Sequence, residues 1–175
     1  FAALVGMGGA PRASIQEGRG DLESAQKIMG NSFTLLVLTA AVLTAVFRSF
    51  ARPLLLTFGA SGDTIGYALD YMNIYSMGTL FVQVTLGMNA YITAQGFTTV
   101  SMKTVLIGAG LNTLLDPIFI FGLGLGVRGA ALATILSQAV SAAWVLRFLT
   151  GPKTKWRLRR QNLRPRPGVF LPSMA

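Results

Sequence analysis

The sequence has no cysteine and no histidine, and only six of its 175 residues are acidic. Those absences remove thiol nucleophiles, disulfides, the usual zinc ligand sets and histidine acid/base chemistry. Charge of either sign is scarce: 12% of residues are charged and 52% are hydrophobic, with mean hydropathy +0.56. A soluble domain carries about 25% charged residues, so the composition points to lipid as the main solvent. The net charge of +9 would suit nucleic acid if it were spread over a folded surface. Instead the basic residues gather between long apolar runs, and within the basic stretch from Lys153 to Arg166 only Trp156 offers a stacking ring. A nucleic-acid partner is therefore not expected.

What is present is a series of uncharged runs near the length that crosses a bilayer, about 20 residues at 1.5 Å rise each. Ile28–Phe47, Tyr71–Met102, Thr104–Val127 and Gly129–Leu146 are free of charge except for Asp116. Tyr71–Met102 reads as one long helix followed by the turn "AQGFTT" at Ala94–Thr99. The expected fold class is an all-α membrane protein, a polytopic helical bundle. Residues 1–150 form its transmembrane region, with a partial helix over 1–17 and spans at about 28–48, 68–95, 102–123 and 129–149. Phe1–Pro11 is too short to span and reads as the end of a truncated helix. Residues 151–175 read as a basic, solvated cytoplasmic linker and the start of a next segment. The connections carry turn residues, and Asp21 and Asp63 each suit a helix N-cap.

If the sides of the membrane alternate, twelve basic residues fall on one side and only Arg48, Arg52 and Arg128 on the other. The positive-inside rule then places the "GRGD" loop at Gly18–Asp21, the "AQG" loop and the basic tail in the cytoplasm of an integral plasma-membrane protein. The tail would lie against anionic lipid, each charge contributing roughly 1 kcal/mol.

Asp116 is the residue that does not fit. An acid near a helix centre costs about 2.5–3.5 kcal/mol on insertion scales and tends to face a cavity or a partner. Protonation, a hydrogen-bond partner or a bound cation would relieve it. Asn112 lies four residues earlier on the same helical face. Pro117 follows directly and loosens carbonyls near residues 113 and 114, so the helix can bend and offer oxygen ligands to a proton or to a sodium ion. On the next span Thr134, Ser137, Gln138 and Ser141 form a polar stripe, either lining a cavity or mediating close helix packing. Counted from the same membrane boundary, Thr134 and Asp116 lie at similar depth. Asn89 counts nearer the opposite half.

Two apparent motifs are set aside. Gly124, Gly126 and Gly129 spell G-x-G-x-x-G, but no acidic residue follows to hold a ribose, so the segment reads as a turn. Asp70 and Asp116 differ in depth by some 10 Å on the helical rise, which is poor geometry for an aspartyl protease pair. No enzyme activity and no cofactor is expected.

"GRGDLESAQKIMG" at Gly18–Gly30, "NAYITAQG" at Asn89–Gly96 and "LNTLLDPIFIFGLGLGVRGAALAT" at Leu111–Thr134 resemble the multidrug and toxin extrusion (MATE) family over essentially Phe1–Thr150. The resemblance implies a secondary active antiporter of twelve helices in two lobes, exporting amphipathic or cationic small molecules in exchange for protons or sodium ions. It implies that the first helix and the entire second lobe lie outside this chain, and that Asp116, Asn112, Asn89 and Thr134 form the coupling-ion network. A lipid-linked saccharide flippase of the same superfamily would need a cationic cavity, whereas here Lys and Arg sit at span ends. A non-transporting membrane scaffold is the third reading.

Overall fold

The computed structural model describes residues 1–163, and every regular element among them is helical. In chain order these are α1 (Ala2–Gly18), α2 (Leu22–Ser49), α3 (Ala51–Thr57), α4 (Ile65–Met77), α5 (Thr79–Ala94), α6 (Thr98–Pro117), a π-helical turn (Ile118–Gly122), α7 (Gly126–Thr150) and a 3-10 turn (Arg160–Leu163). The basic residues Arg164 and Arg166, the prolines beside them and the start of a next segment lie outside the described residues. Among the described residues three helical stretches are long and apolar enough to cross a membrane: Leu22–Ser49, Thr98–Gly122 and Gly126–Thr150.

Asp21 caps α2 as its position suggests, accepting the Ser24 amide at 2.9 Å and the Ser24 hydroxyl at 2.6 Å. Asp63 does not cap α4. A Ser61–Thr64 turn precedes that helix, with the Ser61 amide donating to the Thr64 hydroxyl at 3.0 Å. The single long helix expected from Tyr71 is also corrected. The segment breaks at Gly78 into a 13-residue α4 and a 16-residue α5. The Gly78 amide bonds Tyr75 at 2.9 Å instead of continuing the four-residue ladder. A Cβ there would stand 2.6 Å from Ile135 of α7, so glycine lets α7 approach the break.

The core forms where α1, α2 and α5 pack together, with α7 against α4, α5 and α6. α1 brings Gly6 and Gly9 to α5, close enough that a Cβ at Gly6 would be 3.0 Å from Ala90; small residues at such contacts are the usual packing device between membrane helices. Met29, Leu36, Met88, Tyr91, Ile92 and Leu149 are fully buried there.

The segment after α7 departs from the expected solvated linker. Trp156 is completely buried, edge-on to Tyr91 at 6.4 Å. Thr34 donates to the Leu163 carbonyl at 2.7 Å, and Lys155 pairs with Glu17 at 3.3 Å. Gly30 meets Asn162 at a distance only glycine allows. An indole has nowhere apolar to go in water, so burial of Trp156 draws residues 154–158 onto the bundle end.

Candidate functional site

The site is built where the end of α6 meets the first turns of α7. Spacing of four puts Asn112 and Asp116 on one face of α6, and the Asn112 amide nitrogen donates to Asp116 Oδ1 at 3.3 Å. The same nitrogen donates to the Thr134 hydroxyl at 3.4 Å. Thr134 in turn donates to the Ala130 carbonyl at 3.0 Å, leaving its oxygen lone pairs for Asn112. The hydrogen bonds thus run from Asn112 outward in two directions, with Asp116 accepting at one end of the chain and Thr134 at the other. Asp116 and Thr134 are half-buried. No basic side chain pairs with Asp116 among the described residues.

Local sequence explains why the backbone opens here. Pro117 has no amide to offer the Thr113 carbonyl, and the next amide, Ile118, bonds Leu115 rather than the residue four back. The helix then widens into the π turn, where Leu123 bonds Ile118 at 2.9 Å. Gly124 and Gly126 take left-handed backbone angles of +65° and +52°, and Gly129 packs directly on the Phe119 carbonyl. The glycine triplet is therefore a reversal between two helices. Among the described residues no three acidic or histidine side chains converge.

The other expected site residues are dispersed. Asn89 donates to the Ser101 carbonyl at 3.4 Å, and its own Oδ1 is buried without a partner. Ser101 precedes Asp116 by fifteen residues, roughly 22 Å along the helix, so Asn89 is not brought to Asp116, as its depth in the sequence indicates. Ser137 and Ser141 are buried in helix packing: Ser137 bonds its own helix at Ala133 (2.8 Å), and Ser141 reaches the Thr104 carbonyl at 3.4 Å beside Gly108. The Gln138 carbonyl accepts Thr85 at 3.4 Å, while its Oε1 is buried without a partner. Of the stripe, only Thr134 joins Asn112 and Asp116. Asp70, for its part, is held by Arg128 at 2.9 Å.

One contributor was not singled out from the sequence. Tyr71 of α4 lies near Thr134 and Asp116. Its ring stacks on Tyr75 at 5.6 Å. Both rings line a cavity of about 450 Å³ with Tyr67, Met72, Leu55 and Val127. The spacing of four among Tyr67, Tyr71 and Tyr75 was the available signal.

The fold and the site define a helical membrane protein with a lone carboxylate held between two membrane-capable helices. The MatE family model matches residues 1–118, and the chain belongs to that family. Multidrug export protein MepA of Staphylococcus haemolyticus (strain JCSC1435) is 30% identical over 150 residues, covering 86% of this chain and 33% of that protein. An inward-facing multidrug resistance MATE family transporter of the MOP superfamily superposes with TM-score 0.92 at 26% identity, over 99% of this chain and 40% of that one. An outward-facing one superposes with TM-score 0.90 at 26% identity, over 99% and 39%. The chain therefore spans about a third of the length of the curated relatives it matches.

Proposed function

We propose that the chain is part of a secondary active antiporter that exports drugs or organic cations in exchange for protons or sodium ions, with Asp116 as the carboxylate that carries the ion. The carrying observation is that Asp116 is held in a membrane-capable helix by one long hydrogen bond from Asn112 and by no cation among the described residues. An ionised carboxylate in that setting is costly, and a proton or a hard monovalent cation relieves the cost. The oxygens at hand, from Asp116, Thr134 and the carbonyls loosened by Pro117, are the donor type such a cation takes. Occupancy drives transport only if it favours one access state, and relief of an intramembrane charge whose surroundings differ between states supplies that bias. Asn112 orients the carboxylate and Thr134 completes the polar end, whereas Asn89, Ser137, Gln138 and Ser141 serve as packing groups and second-order polar points. The tyrosine-lined cavity beside the site presents ring faces suited to an amphipathic cation. The relatives named as multidrug exporters support drug efflux rather than enzyme chemistry.

The test is Asp116→Asn in the full-length protein, reconstituted in vesicles and assayed for efflux of a fluorescent organic cation under an imposed proton or sodium gradient. The expected result is loss of gradient-driven efflux by tenfold or more, the range of about 1.4 kcal/mol of coupling and above. Efflux that keeps its pH and sodium dependence in the variant would remove Asp116 from the coupling role. A scaffold function predicts no gradient-driven efflux in either protein.

A further inference from the structure

A second cavity lies at the other end of α6 and α7, where the first turns of α6, the last turns of α7 and the segment after it come together. Its volume is about 370 Å³, within the roughly 300–1,000 Å³ of small-ligand sites. Three cationic side chains line it, Lys103, Arg147 and Lys153, together with the aromatic rings of Trp144 and Phe148. No acidic residue lines it. The ion pairs among the described residues lie elsewhere, Lys27 with Glu23, Arg128 with Asp70 and Lys155 with Glu17. Arg147, in the last turn of α7, complements that helix end. Lys103 and Lys153 have no such role, and like charges gathered around one hollow repel unless an anion joins them.

The surroundings identify the anion's source. Leu136, Val140 and Trp144 follow one another at spacing four on α7, and they are exposed at 45%, 47% and 37%. They make an apolar track along a membrane-capable helix that ends at the cationic hollow. Trp144 stands one turn inward of Arg147, the level at which amphipathic rings mark the membrane interface. A free phosphate needs the cations alone. A phospholipid needs the cations at the interface and the apolar track below them, and both are present.

We propose that Lys103, Arg147 and Lys153 form a binding site for the phosphate headgroup of an anionic glycerophospholipid whose acyl chain lies along Leu136, Val140 and Trp144.

The full-length protein, extracted in mild detergent, would be mixed with equal amounts of phosphatidylglycerol and phosphatidylcholine, and retained lipid counted by native mass spectrometry. Preferential retention of phosphatidylglycerol is expected, falling about tenfold or more in the triple variant K103Q/R147Q/K153Q. The variant R19Q/R48Q/R52Q removes the same charge from exposed positions that do not line the hollow, and it should retain as much phosphatidylglycerol as the parent. Equal losses in both triples would show a general charge effect and overturn the site. Displacement of the lipid by millimolar inorganic phosphate would reassign it to a free anion and overturn the lipid source. If the triple variant fails to fold, K103Q and K153Q singly remove one exposed charge each, and unchanged retention in both would equally overturn the proposal.

Discussion

Asp21 carries more of its local structure than an exposed loop residue usually does. Its two oxygens take separate hydrogen bonds from Ser24, first the hydroxyl and then the amide, and both favour the charged form. The hydroxyl bond, followed by the amide bond, holds its pKa below the ordinary value of 3.8. A depressed folded-state pKa means the cap's contribution is fully present above 3.8 and is lost as the pH falls through the lower folded value. Hydrogen exchange of the first turn of α2, corrected for intrinsic rates, should show protection at neutral pH that disappears on acidification below the ordinary value. Asp21→Ala should lack the protection at every pH. Asp21→Asn should keep it without the acid step, and an acid step surviving in that variant would assign it to another group. The same spacing logic that marks a cap made most of the candidate site legible. Asp116 stood out as a charge in an apolar run, Asn112 followed from the helical repeat, and Thr134 from equal depth. Tyr71 was not legible, because on an apolar helix a tyrosine reads as lipid-facing until the fold shows which neighbour it meets.

Gln95 shows the same limit at the scale of elements. It sits in the turn between α5 and α6, 2% exposed, and its Oε1 accepts three bonds from the segment after α7: the Thr154 hydroxyl at 2.7 Å and the amides of Lys155 and Trp156 at 2.8 and 3.0 Å. Its Nε2 donates back to Tyr91 at 3.2 Å. One side chain thus fastens the segment after α7 to the turn between α5 and α6. Gln95→Ala leaves buried donors without an acceptor, at about 1–3 kcal/mol each, and should release residues 153–157. Trypsin cleavage after Lys153, Lys155 and Arg157 is then expected to quicken severalfold, with a lower melting temperature in detergent. Gln95→Glu keeps the acceptor and should be milder; equal cleavage of the parent and the alanine variant would show that the buried Trp156 and the contacts of Leu163 and Lys155 hold the segment without Gln95. The ends of α2 and α7 were legible because charge marks them, Arg48 and Arg147 standing in their last turns. The docking was not, since backbone amides carry no side-chain signature, and the basic residues around Trp156 read as solvated. The break at Gly78 was hidden for a related reason: the glycine matters only because Ile135, far along the chain, arrives there.

At the scale of the whole molecule, the same segment superposes on an inward-facing and an outward-facing transporter with TM-scores of 0.92 and 0.90. Because its internal geometry fits both of those transporters so evenly, the segment is expected to move largely as a body in the antiporter proposed above. On that expectation each loop keeps one side of the membrane throughout, and the distribution of charge predicts which side. The "GRGD" loop, the "AQG" loop and the segment after α7 collect the basic residues, against Arg48, Arg52 and Arg128 at the opposite ends. Counted over short loops, that excess predicts an orientation with the basic ends inside. The segment has no native cysteine, so single cysteines can be placed without background from it. Arg19→Cys in the "GRGD" loop and Ser61→Cys in the turn before α4 are both at exposed positions. In intact cells, an impermeant maleimide should label Ser61→Cys and leave Arg19→Cys unlabelled until the membrane is permeabilised, whether the transporter is held inward or outward by substrate or gradient. The reverse pattern would invert the topology, and labelling of Arg19→Cys that appeared in only one access state would show that the lobe does not move as one body.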